Sequence, residues 1–174
     1  MLRWLSSKSD KKTPEMQKCS IYFVGSAICF LPTSGKVFFI HEDDAPVFYV
    51  DLAESSDKIL SDFLDEALSH SFLRADAPDM PDFQKVTSTF NQRMDGFREK
   101  LGIGKKKFED SLMHLAVEKD GDAIYFWPHH QDRGRYAFEG ACKAEDRPTI
   151  SANASAEERG DCLRSILTGD LPIS

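Results

Sequence analysis

The side chains best suited to chemistry are concentrated in one stretch, Trp127-Pro128-His129-His130-Gln131-Asp132-Arg133. Two imidazoles with a carboxylate close behind could serve as an acid/base pair or contribute to a metal site, because histidine titrates near neutral pH and ligates through a ring nitrogen. The spacing works against a shared metal. Adjacent side chains on an extended chain point to opposite sides, so His129 and His130 diverge, although either could pair with Asp132 or His114. A structural or partner-contacting role is the stronger reading, with one histidine turned inward and the other exposed. No catalytic residue and no metal ligand is assigned. Trp127 ends an apolar strand, which puts its ring at least partly in the core, and Pro128 is expected to release the chain from pairing because it has no amide to donate.

Other chemistry is sparse. Cys19, Cys29, Cys142 and Cys162 are far apart and form no Cys-x-x-Cys pair, so they read as core packing or inert thiols rather than a zinc or redox site. The chain has no Gly-rich phosphate loop, no Gly-x-Ser-x-Gly elbow, no His-Glu-x-x-His and no EF-hand loop, and Gly102-Ile-Gly104 is too short for a dinucleotide fingerprint. No cofactor is expected. Lys105-Lys106-Lys107 is the only basic run outside the amino-terminal tail. Cations at the start of a helix oppose its dipole, so the run is mildly unfavourable unless it serves a ligand, yet it is too small to hold nucleic acid alone.

The 174 residues carry a net charge of −7, a sequence that argues against a constitutive nucleic-acid binder. The charge is uneven: residues 42 to 82 hold twelve acids against two bases, Lys58 and Arg74, and so contain all of the net negative charge. Such clustering repels itself unless solvent or a cationic partner screens it. Glu42, Asp43, Asp44, Glu54, Asp57, Asp62 and Asp65 are the densest of these acids near a strand-to-helix junction. They are candidate contacts for a basic protein, together with Trp127, His129 and His130. The longest apolar run, Ile21 to Leu31, is too short to span a bilayer and is interrupted by Gly25 and Ser26. The first residues do not form a signal-peptide core, so a cytoplasmic protein with free thiols and no membrane contact is expected.

These residues must be positioned by an α+β domain. Residues 1–17 read as a flexible arm, and 18–174 as a single domain with too little repetition for a solenoid, a collagen or a coiled coil. Ile21 to Val24, Ile28 to Leu31, Val37 to Ile40 and Val47 to Val50 are β-branched and aromatic runs, with Pro32 to Gly35 expected as a turn. Ser55 or Ser56 caps a helix in which Ile59, Leu60, Phe63, Leu64, Ala67 and Leu68 repeat at helical spacing. After a proline-rich loop, a second helix runs through Phe83, Val86, Phe90, Met94, Phe97 and Leu101 to Gly102. A third covers Lys105 to Leu112. Met113 to Lys119 and Ala123 to Trp127 form a hairpin about Asp120-Gly121. Short strands follow at Tyr136 to Phe138 and Thr149 to Ser151, and Ser155-Ala-Glu-Glu158 is a capping box opening a last helix. Strands, then helices, then strands and a helix predict a mostly antiparallel sheet packed by about four helices.

The carboxyl-terminal half resembles a known family. The pieces that carry the likeness are the amphipathic helix Met94 to Leu101, Gly104-Lys-Lys-Lys-Phe, Ser111-Leu-Met-His, the Asp-Gly hairpin, Ile124-Tyr-Phe-Trp-Pro-His-His, Ile150-Ser-Ala-Asn-Ala-Ser-Ala-Glu-Glu-Arg-Gly and Leu163-Arg-Ser-Ile-Leu167. In this order they are similar to the CdiI immunity proteins of contact-dependent growth inhibition. The resemblance implies a small cytosolic protein that binds and blocks the toxic carboxyl-terminal domain of a cognate, large secreted effector, commonly a nuclease. A small metal- or histidine-dependent hydrolase and a non-enzymatic adaptor remain open beside it.

Overall fold

The computed structural model describes residues 16–35, 39–40, 45–71, 82–131, 138–140 and 143–170. In chain order the elements are β1 (Gln17–Val24), β2 (Ala27–Gly35), β3 (Phe39–Ile40), β4 (Phe48–Asp51), α1 (Asp57–Ser69), α2 (Phe83–Leu101), α3 (Lys105–Ser111), β5 (Met113–Asp120), β6 (Ala123–Gln131), β7 (Phe138–Gly140), a 3-10 turn (Ala144–Asp146), β8 (Thr149–Ser151) and α4 (Ala156–Thr168). The expected α+β class holds, as do the four helices and the antiparallel pairing. Of the expected arm, residues 1–15 lie outside the described residues, and Gln17 already belongs to β1.

Two hairpins make the centre of the sheet, in the order β2-β1-β5-β6, and two short strands flank each outer strand. On β2, β4 pairs with residues 27 to 30 and β3 with Ser34 and Gly35. On β6, β8 pairs with residues 123 to 125 and β7 with residues 129 to 131. The two halves are built alike. An eight-residue strand, a two-residue turn opening on a positive-φ glycine (Gly25, 59°; Gly121, 56°) and a nine-residue strand recur. Gly-x-Ala-Ile-x-Phe-x-Pro is written twice, at residues 25–32 and 121–128. After the last short strand the Leu52 amide donates to Ser26 O and the Ala152 amide to Asp122 O, each at 2.7 Å. Thirteen-residue helices capped by Ser56 and Ser155 then close the two halves. The chain is therefore an internal repeat, with α2 and α3 inserted between its copies.

The repeat explains where expectation and structure part. Pro32 to Gly35 is strand rather than turn, because Gly25-Ser26 already reverses the chain and residues 32 and 33 pair with Cys19 and Lys18. Pro128 does not end pairing either: β6 continues through it to Gln131. Amides on a strand alternate sides. The Phe126 amide donates away from β5, to Pro148 O at 3.0 Å, so position 128 turns the same way, into the gap between β8 and β7 where no ladder bond is required. Pro32 occupies the matching gap between β4 and β3. The second hairpin turns on Gly121-Asp122, one residue later than expected, with Asp120 paired to Ala123.

Helices cover both faces of the sheet. Leu60, Leu64, Ala67 and Leu68 of α1 and Leu163 and Ile166 of α4 pack on Ile21, Ile28, Phe30, Leu115, Val117, Ile124 and Phe126. On the other face Met94 and Phe97 of α2 and Phe108 of α3 pack on Tyr22, Cys29 and Leu31. Two residues expected on apolar faces are exposed, Ile59 of α1 at 42% and Phe83 of α2 at 52%, the latter because α2 becomes buried only beyond its first two turns.

Where α1 and α4 cross, two arginines join the copies. Arg164 Nε meets Asp57 Oδ1 at 2.6 Å while its guanidinium donates to Leu52 O and Ser55 O at 2.8 and 2.5 Å. Arg159 donates to Asp65 at 2.5 Å, to Ser61 Oγ at 3.2 Å and to the carbonyls of Ala152 and Ala154. These half-buried arginines satisfy carbonyls at the helix entry turns. Arg164→Ala strands two carbonyls and a carboxylate at once, for an expected loss of about 1–3 kcal/mol in denaturant unfolding. An unchanged midpoint would mean that water replaces the guanidinium without cost.

Candidate functional site

The two copies of the repeat differ in what lies over the face opposite α1 and α4. In the first copy, Tyr22, Cys29 and Leu31 are sealed under α2 and α3. The apolar cluster beneath those two helices contains no residue of β5 or β6. On the second copy the same face carries His114, Ala116 and Glu118 from β5 and Tyr125, Trp127 and His129 from β6, all only half-buried. This half-face, over which no described helix lies, is the candidate site.

Register brings its side chains together. Tyr22, His114 and His129 are cross-strand partners on β1, β5 and β6. Their rings stack in series, 4.6 Å between the centroids of Tyr22 and His114 and 4.7 Å between His114 and His129, and Phe90 of α2 meets Tyr22 at 5.4 Å. Burial raises the Tyr22 hydroxyl pKa, so the ladder's inner end stays neutral. One row along, Ala116 is paired with Trp127. Beyond it Glu118 is paired with Tyr125, and its carboxylate meets Lys18 Nζ at 3.1 Å. The Arg147 guanidinium, entering from the turn before β8, lies over both aromatic rings, 3.8 Å from the Tyr125 centroid and 4.5 Å from that of Trp127.

The expected site residues divide among three places. Trp127 and His129 lie on this half-face, two positions apart on β6, with His129 against His114 as one of the expected pairings. The Trp127 ring is half-buried, with Arg147 over it. His130 pairs through its backbone with Glu139, and Asp132 lies outside the described residues, as do Glu42, Asp43 and Asp44. Glu54, Asp57, Asp62 and Asp65 all belong to the α1 side of the molecule. Glu54 and Asp62 are exposed, Asp62 bonding Lys58 Nζ at 2.7 Å, whereas Asp57 and Asp65 are held by Arg164 and Arg159.

Sequence reasoning missed three features. The first is the acidic contribution of α4: Glu157, Glu158 and Asp161 are exposed on the layer that carries the α1 acids, while Lys105, Lys106 and Lys107 are exposed on the opposite layer. Glu158 is held below the usual glutamate range by its hydrogen bonds with Ser155, so the α4 end of this layer stays charged. The second is the repeat, for which the doubled Gly-x-Ala-Ile-x-Phe-x-Pro was a sequence signal. The third is Arg147, which no motif marks. Among the described residues no group of three or more His, Cys, Asp or Glu is arranged to hold a metal, and no helix is long and apolar enough to cross a membrane. The thiols of Cys19 and Cys29 are buried and free, and burial pushes Cys29 up to about 12, which leaves neither reactive at neutral pH.

No protein-family model and no curated protein sequence matches the chain. Solved structures do. A chain from a CdiA-CT/CdiI toxin and immunity complex of Yersinia pseudotuberculosis superposes with a TM-score of 0.74 at 19% identity, over 88% of this chain and 96% of that one. A protein of unknown function from Neisseria meningitidis superposes with a TM-score of 0.77 at 17% identity, over 90% and 96% of the two chains. The chain has a CdiI-like fold. The likeness covers about nine-tenths of each chain.

Proposed function

We propose that the protein is an immunity protein that binds and neutralises the toxic carboxyl-terminal domain of a contact-dependent growth inhibition effector, a nuclease domain with a basic cleft, and that it catalyses no reaction itself. The observation that carries this reading is the fold, shared along nearly the whole chain with a member of a toxin and immunity complex. Charge supports it. A nuclease cleft is built to attract phosphates, and acidic side chains on one layer of an inhibitor accelerate encounter with such a cleft. Cytoplasmic binding of one toxin domain per immunity protein completes the proposal.

The test is growth. Cells expressing the carboxyl-terminal domain encoded by the gene immediately upstream should die, and co-expression of this protein should restore growth through a complex that survives gel filtration. A turnover activity lost on changing His129 and His130 to alanine would overturn the reading.

The acids divide into two experimental classes. Glu54→Lys with Asp62→Lys should slow association several-fold at low salt and weaken its salt dependence, while the melting temperature holds, since exposed acids contribute little to stability and much to steering. Reversing Asp57 or Asp65 should instead lower the melting temperature, because each faces an arginine at the α1/α4 crossing. An association rate that Glu54 and Asp62 do not affect moves the acidic contact to Glu42, Asp43 and Asp44. Those three are proposed as partner-binding on their charge density alone.

A further inference from the structure

We infer that Arg147, seated on Tyr125 and Trp127, is the anchor of the docking surface and takes a carboxylate side chain from the bound protein partner; this rests on the immunity reading above.

Three observations lead there. The first is the repeat. The fold closes this face of its first copy with an amphipathic helix, α2, whose Phe90, Met94 and Phe97 cover Tyr22, Cys29 and Leu31. The positions that repeat Cys29 and Leu31 are Tyr125 and Trp127, larger and half-buried, with no described helix over them. The second copy thus keeps a core-like face for an external chain. The second observation is composition. Tyr, Trp and Arg are the residue types over-represented where a few side chains supply most of a protein–protein binding energy, and here one of each is stacked in a single cluster. The third is charge. The Arg147 guanidinium has aromatic partners but no carboxylate within ion-pair distance among the described residues, although Arg159 and Arg164 each have one. A guanidinium lying over ring faces keeps its N–H donors along its edge, in the fork geometry that a carboxylate accepts in a bidentate manner.

The acidic layer and this anchor have separate roles. The acids lie on the α1 and α4 side and set the rate of encounter, whereas the aromatic and arginine cluster, on the other side of the sheet, sets how long the complex lasts. Binding at both implies a partner that reaches around the β6 end of the sheet.

The full-length protein and the upstream-encoded toxin domain provide the experiment. Arg147→Ala should weaken the complex at least about thirtyfold, almost entirely through faster dissociation, and Arg147→Lys about tenfold, because a lysine keeps the charge and loses the planar fork. The melting temperature of the free protein should change little in both, since the cation sits at the rim. In a Trp4→Phe background the emission of Trp127 should shift when the toxin domain binds. Single Asp→Lys and Glu→Lys variants of the toxin domain, screened against Arg147→Glu, should contain one that restores binding. Wild-type affinity in Arg147→Ala, or no rescue by any reversed acid, overturns the anchor while leaving the immunity reading standing. Failure of the wild-type protein to bind the toxin domain overturns both.

Discussion

Gly160→Ala should unfold the protein at a temperature lower by roughly 6–12 °C. Gly160 lies where α4 crosses α1, and a Cβ built on it would stand 1.8 Å from the carbonyl oxygen of Asp57 and 2.3 Å from its carbonyl carbon. No real Cβ approaches backbone so closely, and the atoms in the way cannot swing aside as a side-chain end could. The helices must move apart, which also pulls Arg159 and Arg164 off their carbonyls. Two effects of opposite sign compete. Alanine inside a helix is better than glycine by about 1 kcal/mol. Overpacking costs about 1–3 kcal/mol and more where backbone meets backbone, so a net loss near 3 kcal/mol is expected, and a domain of this length loses about 2–4 °C per kcal/mol. A thermal melt settles the sign: an unchanged or higher melting temperature would show that the helices do not cross at this glycine.

Phe30→Ala and Phe126→Ala should each remove about 3–5 kcal/mol, and the two losses should agree to within about 1 kcal/mol. Both rings are fully buried on the α1/α4 face and occupy the same position of the two hairpins. They sit on β2 and β6, three strand spacings or about 14 Å apart, so their effects should add and the double variant should exceed much of a total stability of about 5–15 kcal/mol. Trp127→Ala should cost less than either phenylalanine despite its larger ring, because that ring is half-buried beneath Arg147. Denaturant midpoints of the three single variants test the ordering. A tryptophan loss larger than both phenylalanine losses would place the indole in the core, contrary to its half-burial.

The elements that were legible in the sequence are those fixed by local chemistry. Ser56 and Ser155 accept from the amides of Ile59 and Glu158, and Glu158 returns a bond to the Ser155 amide, as the spacing of a serine and a glutamate predicts. Gly102 stops α2 in a left-handed conformation that only glycine adopts without strain. A β-branched and aromatic run marked β1, alternation marked β5, and the α+β order of elements fixed the class. Prolines were harder to read. Pro32 and Pro128 resemble strand breakers until the position of the neighbouring strands is known, because whether a missing amide matters depends on what that edge faces.

The candidate site was legible only in part. That Trp127 and His129 share a face follows from strand alternation once β6 is known to continue through Pro128. That His129 stacks on His114, that Arg147 covers Trp127, and that Asp57 and Asp65 are engaged by arginines far along the chain are decided by tertiary structure. Each depends on register between strands, or on a crossing between helices, that brings together residues widely separated in sequence. The sequence by itself determined the elements, their caps, the acidic segment and a doubled hairpin motif. Only the tertiary structure decided which copy of that motif is covered, because coverage is set by where the inserted α2 and α3 lie down. They bury their apolar faces on the first copy, and no described helix lies over the face of the second.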